Sequence, residues 1–405
     1  MTRHLLKLIW NRRRTNALLM AEVLLSFLAL FGIATLAVYY TDNYRRPLGF
    51  DYRDVWVIEY NPKGYDPAFP NRNVHIYWRL FHALEELPRV EAVATHSWGV
   101  APYWVPGGEF RDEVDGRRYV ADADRVSDGY LEVAGLELTR GRWFSSEDDV
   151  VPPNDNVIVL NERLARHLFG DEDPLGRRLP WPPRGDGSRR PGELRVVGVV
   201  REYRPRGEFS APGNHFFARH RVDDPESNGS SLLVRVSPGT PAAYQERLVA
   251  RLFREAPEWT FRVKPLAEWR AANHRLRLTP LVALGLVVGF LLLMVVLGLV
   301  GVLWQNVTQR TQELGLRRAK GATAARIQRQ ILGEVAIMTT VALGVGTLLV
   351  VQLPLLDWLG SVRAGVFAAS LVLSAATIYV LTGLCGLYPA RLATRIQPAE
   401  ALHHE

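Results

Sequence analysis

The stretch LVALGLVVGFLLLMVVLGLVGVLW, residues 281–304, carries no charged side chain over 24 consecutive positions. A helix needs roughly 20 apolar residues to cross a hydrocarbon core about 30 Å thick. Helices buried in water-soluble proteins are seldom apolar on every face, so this segment predicts a transmembrane span. Working outward, two more uncharged runs follow at 335–356 and 364–388. A fourth lies near the start, at 17–40, interrupted by one acid, Glu22. That first run exceeds the roughly 7–15 apolar residues of a cleaved leader. Its only small-residue pattern is Ala34-Thr35-Leu36-Ala37, so it reads as a retained anchor.

Charge orients the spans. The chain has 405 residues and a formal net charge of +7. Residues 1–16 carry +5, from Arg3, Lys7, Arg12, Arg13 and Arg14, and residues 305–330 carry +5 again. The long segment 41–278 is close to neutral. Short loops rich in Lys and Arg stay in the cytoplasm, so both termini and the 305–330 loop are expected inside and 41–278 outside. The expected organisation is an interfacial helix at 1–16, a span at 17–40 and an extracytoplasmic domain at 41–278. A span at 279–304, a cytoplasmic loop at 305–330, spans at 331–357 and 364–388, and a tail at 389–405 follow. The basic surplus is thus a matter of topology and does not argue for nucleic acid binding.

This layout excludes several functions. A single cysteine, Cys385, rules out an internal disulfide framework and a Cys-rich metal site. No G-x-x-x-x-G-K-[ST] phosphate loop is present, and the cytoplasmic pieces fall below the length that folds independently. No G-x-S-x-G or H-E-x-x-H motif occurs. No catalytic residue, cofactor or metal is expected.

The outside segment reads as α/β. Residues 54–60 (DVWVIEY), 90–95, 231–236 (SLLVRV) and 260–263 read as strands, and 74–87 and 241–255 as helices, the latter with Pro241 in its first turn. Two β-α-β units thus bracket the domain, at 41–98 and 229–278, and are expected to pack as a membrane-proximal subdomain. Between them, 99–228 reads as an inserted subdomain. It holds strands at 157–160 and 194–200, a helix at 162–169, and a Pro/Gly/Arg loop at 181–192 expected to be mobile. The predicted fold class is an α-helical membrane protein with four transmembrane helices and a large α/β extracytoplasmic domain. His75, His82 and His96 lack a ligand pattern around them. The acids Asp122, Asp124 and Asp128, and Glu147, Asp148 and Asp149, lack the glycine and terminal Glu of a calcium loop, and read as solvated loop charge. In the membrane, Gly285-xxx-Gly289 and Ala342-xxx-Gly346 permit close helix approach, for dimer contact or for packing within the subunit. Glu22 and Glu334 lie about a turn inside the cytoplasmic ends.

Two cytoplasmic segments carry a resemblance. After the second span the chain reads Arg310-Thr311-Gln312-Glu313-Leu314-Gly315-Leu316-Arg317-Arg318-Ala319-Lys320-Gly321-Ala322-Thr323. After the fourth it reads Tyr388-Pro389-Ala390-Arg391-Leu392-Ala393, then Gln397-Pro398-Ala399-Glu400-Ala401-Leu402. The pair resembles the MacB/FtsX-like permeases of ABC transporters. Gly141-Arg142-Trp143-Phe144, Asn161-Glu162-Arg163-Leu164-Ala165, Asp173-Pro174-Leu175-Gly176 and Val197-Gly198-Val199-Val200 look like that family's periplasmic signatures. Lys320 departs from the family, which usually has an aliphatic residue there.

The resemblance implies a permease subunit in the bacterial inner membrane. It would work with a dimer of cytoplasmic ABC ATPase subunits and a second copy of itself or a related permease, and with a periplasmic membrane-fusion adaptor where the system exports. ATP-driven motion would pass to the periplasmic domain, for export of a peptide, antibiotic or lipid-linked substrate. The alternative is a mechanotransmitter that regulates a cell-wall hydrolase or signalling partner. ATP hydrolysis would reside in a separate subunit. The coupling residues implied are Thr311, Glu313, Leu314, Gly315, Arg317, Arg318, Gly321 and Ala322. Thr311 would cap a short helix, the aliphatic residues would offer a face to a groove, and the charges would set register.

Overall fold

The computed structural model describes residues 13–62, 74–97, 102–103, 109–114, 116–150, 156–181, 192–220, 231–309, 323–356 and 362–393. The chain divides into two compact units, Met1–Asp42 with Leu278–Glu405, and Asn43–Arg277.

The first unit is helical. Helix α1 runs over Arg13–Tyr44, α6 over Leu266–Gln309, α7 over Ala324–Leu355 and α8 over Ala364–Ala393. All four contain stretches long and apolar enough to cross a membrane. On α1, Leu19, Val23, Phe27 and Phe31 recur every four residues and form one buried stripe. They pack with Val295 and Leu299 of α6, Ala342, Leu343 and Val350 of α7, and Ile378 and Cys385 of α8. Outward faces stay apolar, as at Leu286, Leu348 and Val372, which suits hydrocarbon rather than water. Polar side chains turn back on their own helix. Thr35 donates to the Phe31 carbonyl, Ser370 to Val366, Ser374 to Ser370 and Thr382 to Ile378, so these four hydroxyls are satisfied without water.

The second unit is built on one eleven-stranded sheet. Its strands are β1 (Val55–Asn61), β2 (Val90–Ser97), β3 (Glu109–Val114), β4 (Arg117–Val126), β5 (Leu138–Gly141) and β6 (Asn156–Asn161). They continue with β7 (Arg178–Pro180), β8 (Glu193–Val200), β9 (His215–Arg219), β10 (Ser231–Val236) and β11 (Thr260–Pro265). The order is β11-β1-β10-β2-β4-β9-β6-β8-β5, with β3 on β4 and β7 on β8. The helices are α2 (Val74–Glu85), α3 (Tyr130–Ala134), α4 (Glu162–Phe169) and α5 (Tyr244–Glu255).

The two β-α-β units interleave. Strand β10 lies between β1 and β2, and β1 lies between β11 and β10, all antiparallel. The run Val55-Trp56-Val57-Ile58 is apolar without alternation because both faces of the sheet are covered. Trp56 and Ile58 meet Tyr77, Leu80 and Leu84 of α2 and Leu248 and Leu252 of α5. Val55 and Val57 belong to a second core with Tyr130, Val133, Trp143 and Phe217. A third core sits under α4, where Leu164, Ala165 and Leu168 cover Ile158, Leu160, Val196 and Phe216.

Some sequence expectations shift. Helix α5 begins at Tyr244 rather than Pro241, because Tyr244 N–H closes a turn onto the Pro241 carbonyl at 2.9 Å. The interfacial helix expected at 1–16 and the loop expected at 181–192 fall almost entirely outside the described residues.

Candidate functional site

The eight coupling residues Thr311, Glu313, Leu314, Gly315, Arg317, Arg318, Gly321 and Ala322 lie outside the described residues. Their flanks are described. Helix α6 ends at Gln309, with Thr308 Oγ1 donating to the Trp304 carbonyl at 3.0 Å. Helix α7 starts at Ala324 after an extended Thr323, φ −71 and ψ 150.

In the membrane unit the tightest approaches fall on residues other than the Gly285/Gly289 pair. A Cβ on Gly285 would sit 3.4 Å from Ile33 Cδ1, and Gly289 has nothing within 4 Å. Gly285 thus meets span one of the same chain at ordinary contact distance. At Gly298 a Cβ would fall 2.7 Å from Oε2 of Glu22, so the carboxylate lies flat against bare backbone. At Gly346 it would fall 2.5 Å from the ring of Phe27, and at Gly386 2.9 Å from Leu332. The Ala342-xxx-Gly346 stripe therefore packs against α1 within the subunit. Neither Gly298 nor Gly386 stands out in the sequence, because nothing local to a glycine reveals what faces it across a helix pair.

In the extracytoplasmic unit the signature residues form a scaffold. Asn161 is fully buried and ties three segments together. Its Oδ1 accepts from Leu164 N at 3.0 Å, capping α4, and from His215 N at 3.1 Å. Its Nδ2 donates to the Gly213 carbonyl at 2.8 Å. Gly141 and Gly198 let two backbones touch: a Cβ on Gly141 would sit 2.3 Å from the Val197 carbonyl, and one on Gly198 2.2 Å from that of Arg142. Trp143 and Phe144 then enter the core. Asp173 Oδ1 accepts from Leu175 N at 3.2 Å, and Gly176 N–H donates to the Val196 carbonyl at 2.8 Å, fixing the turn before β7.

A cluster that sequence reasoning missed holds the root of α6. Glu208 accepts from Arg270 Nε at 2.5 Å, contacts His274 Nε2 at 3.0 Å, and accepts from Tyr103 OH at 3.3 Å. Arg270 also stacks over the ring of Tyr52, 4.5 Å from its centroid. Asn273 donates to the Tyr103 carbonyl at 3.0 Å. Burial alone would raise the Glu208 carboxyl, but the hydrogen bonds from Arg270 and His274 outweigh it and hold it below the usual carboxylate range. The signal was dispersed over positions 103, 208 and 270–274, which local patterning cannot join.

The acids read as solvated loop charge are mostly structural. Asp122 pairs with Arg206 at 2.8 Å, Asp128 with Arg219 at 2.8 Å, and Asp148 takes both Arg142 nitrogens at 2.6 and 2.8 Å. Asp124 is buried beside His96 and His215. Asp122 and Asp124 escape the solvated reading because β4 carries them in among an arginine and imidazoles distant in sequence, and Asp148 because the turn at Ser146–Val150 folds it back onto Arg142. His82 pairs with Glu85 at 2.7 Å on an exposed face. Among the described residues, no group of three or more such side chains is placed to hold a metal ion. A hollow of about 590 Å³ beside α4 is lined by Glu162, Arg163, Arg166, Arg201 and Glu202. Its charges are matched within the chain, Arg163 to Glu202 at 3.7 Å, Arg166 to Glu162 at 3.9 Å and Arg201 to Glu137 at 2.8 Å.

Comparison with known proteins places this architecture. The MacB-like periplasmic core domain matches residues 17–251, and the FtsX-like permease C-terminal domain matches residues 285–398. The "Macrolide export ATP-binding/permease protein MacB" of Neisseria gonorrhoeae is 26% identical over 295 residues, 68% of this chain and 42% of that protein. The "Uncharacterized ABC transporter permease YknZ" of Bacillus subtilis is 24% identical over 297 residues, 70% of each chain. The chain thus spans about two fifths of the length of the MacB relatives it matches. The solved periplasmic region of MacB from Actinobacillus actinomycetemcomitans aligns with 54% of this chain and 92% of its own, at 18% identity and a TM-score of 0.36. With one domain match covering more than half of its length and the other covering three of its four apolar helices, this chain belongs to the MacB-like, FtsX-like family of ABC transporter permeases.

Proposed function

We propose that this chain is a permease subunit that transmits the motion of a cytoplasmic ABC ATPase to its extracytoplasmic domain. The observation that carries the reading is the pairing on one chain of a MacB-like periplasmic core with an FtsX-like permease domain, in a sequence without a phosphate loop. ATP is hydrolysed by a separate subunit. The charge distribution supports a cytoplasmic placement of both termini and of the 305–330 loop, and in this reading the loop is the ATPase contact. The relatives named for macrolide export support export of an antibiotic, peptide or lipid-linked substrate. A second copy or a related permease completes the assembly, with a periplasmic adaptor on the outer side.

Glu313 and Arg317 are four residues apart, the spacing of one helix face. Breaking a desolvated charge contact from one side costs on the order of 2–5 kcal/mol. Glu313→Ala with Arg317→Ala is therefore expected to preserve membrane insertion but to lose ATPase co-purification and stimulated hydrolysis. The pair Arg189→Ala with Arg190→Ala, outside the cytoplasm, spares both. A loop mutant that folds normally and keeps its ATPase would reduce the 305–330 segment to a topology signal.

A further inference from the structure

Helices α7 and α8 meet at two places and part between them. A Cβ on Gly386 of α8 would fall 2.9 Å from Leu332 of α7, so that leucine lies against bare backbone. About two turns further along α7, Thr340 Oγ1 donates to the Ala336 carbonyl at 2.7 Å. Its one proton being spent, it accepts from Tyr379 OH of α8 at 2.8 Å. Between these two contacts a Cβ on Gly383 would meet nothing within 4 Å.

The gap is a groove of about 440 Å³, with Leu332 and Ala336 on one wall, Tyr379 and Leu384 on the other and Gly383 between them. That volume falls in the range of about 300–1,000 Å³ seen for small-molecule sites. From Leu332 to Thr340 the helix rises about 12 Å, which fits inside the ~15 Å of hydrocarbon in one leaflet. The groove opens outward, since Ala336 and Leu384 are exposed. The hydroxyls at its border, on Thr340, Tyr379 and Thr382, already donate within the helix pair. The walls therefore suit a hydrocarbon chain.

Charge stands at one end of this groove. Arg326, Arg329, Gly333, Ala336 and Thr340 follow one another at steps of three and four, the spacing of a single helix face. The two arginines thus lie on the groove's side of α7, in the turns where that helix begins. Both are exposed, and no acid among the described residues pairs with either. Glu334 is turned to another face, where Gln330 meets it at 3.4 Å. Helix α7 also starts at Thr323 without a side-chain cap, and its first turn holds no acid. Two cations at a helix start work against the helix dipole. An anion held between them removes that conflict and can accept from the first backbone N–H groups.

We propose that this groove seats an anionic phospholipid. One acyl chain lies in the gap between α7 and α8, and Arg326 and Arg329 hold the phosphate. Charge complementarity selects the headgroup, because the arginine fork matches phosphate oxygens in geometry as well as in sign. A zwitterionic lipid fills the same gap but carries its own ammonium beside the phosphate, so it gains less from the arginines. The site requires only that these helices cross a membrane, in either orientation, and it is independent of which ATPase or substrate the permease serves.

Native mass spectrometry of the full chain, purified in mild detergent without any ATPase, tests this. Dioleoyl phosphatidylglycerol and dioleoyl phosphatidylcholine, matched in their chains, are added separately at equal concentration. Phosphatidylglycerol is expected to bind on the order of tenfold more tightly, from two arginines near the surface. Arg326→Gln with Arg329→Gln is expected to remove that preference and to leave phosphatidylcholine binding unchanged. Gly383→Phe, whose Cβ meets open space, puts a ring in the gap and is expected to weaken binding of both lipids severalfold. Equal binding of the two lipids by the wild-type chain overturns the proposal whether or not a variant folds. So does a double arginine variant that keeps the preference, or a Gly383→Phe chain that both melts and binds like the wild type. Displacement of phosphatidylglycerol by an equal concentration of glycerol phosphate also overturns it, by marking a site for a soluble anion.

Discussion

Gly298 illustrates how an absent side chain sets a helix contact, because the Glu22 carboxylate occupies the place its Cβ would take. Gly298→Val is expected to destabilise the membrane unit by about 1–3 kcal/mol through overpacking, seen as a lower melting temperature in detergent. Gly289→Val meets open space and should leave that temperature nearly unchanged. Combining Glu22→Ala with Gly298→Val should recover part of the loss, since the two groups compete for one volume; a strictly additive double mutant would break this account. Asn161 makes the opposite case, a side chain that serves three backbone segments at once. Asn161→Ala removes a helix cap and strands the buried His215 N–H. A cost of roughly 2 kcal/mol or more follows, measurable as a reduced denaturation midpoint of the extracytoplasmic transition. The sequence marked Asn161 only through its family resemblance; composition alone could not reveal that its partners sit 52 and 54 positions away.

At the scale of elements, the strands and helices legible in the sequence are those whose pattern is strong on its own. Strands β1, β6, β8 and β10 are nearly continuous apolar runs, and α2 and α4 carry clear helical spacing. Strands β3, β4, β5, β7 and β9 went unread. β4, RRYVADADRV, places Asp122 between two alanines and Asp124 between Ala123 and Arg125, a pattern that looks like loop until Arg206, His96 and His215 arrive from elsewhere. β9, HFFAR, is only five residues long and buried throughout. The root of α6 depends on such distant pairing too, and a pH dependence follows from it. The Glu208 carboxyl is held below its usual range in the folded chain. Its stabilisation is complete above the unfolded carboxylate value of about 4.3 and is lost as pH falls through the folded one. The wild-type melting temperature should therefore drop between about pH 5 and pH 3, and Glu208→Gln should start lower at neutral pH and fall less over that window. Parallel curves for the two proteins would remove Glu208 from the anchoring of α6.

For the molecule as a whole, the four apolar helices and the division between a helical unit and an α/β unit were legible because hydropathy and length decide them without tertiary information. The sidedness is a further expectation from charge: a reporter inserted at Gly187 should be active only if its enzyme works outside the cytoplasm, and one fused after Glu405 only if it works inside. A cytoplasmic signal from Gly187 would invert the topology. The interleaving of strands was not legible, since two β-α-β units placed side by side fit the same local patterns as two that interlock. That interlocking has a temporal consequence. Strand β10 must enter between β1 and β2, and β11 must flank β1, so the first unit has no complete partner set until residue 265 has emerged. A chain growing from its N-terminus exposes the unpaired edges of β1 and β2 for the time taken to make some 130 residues between Ser97 and Ser231, about 7–25 s at ordinary synthesis rates. Through that interval the nascent domain presents open strand edges to whatever chaperones and proteases share its compartment, and its vulnerability ends with one late insertion.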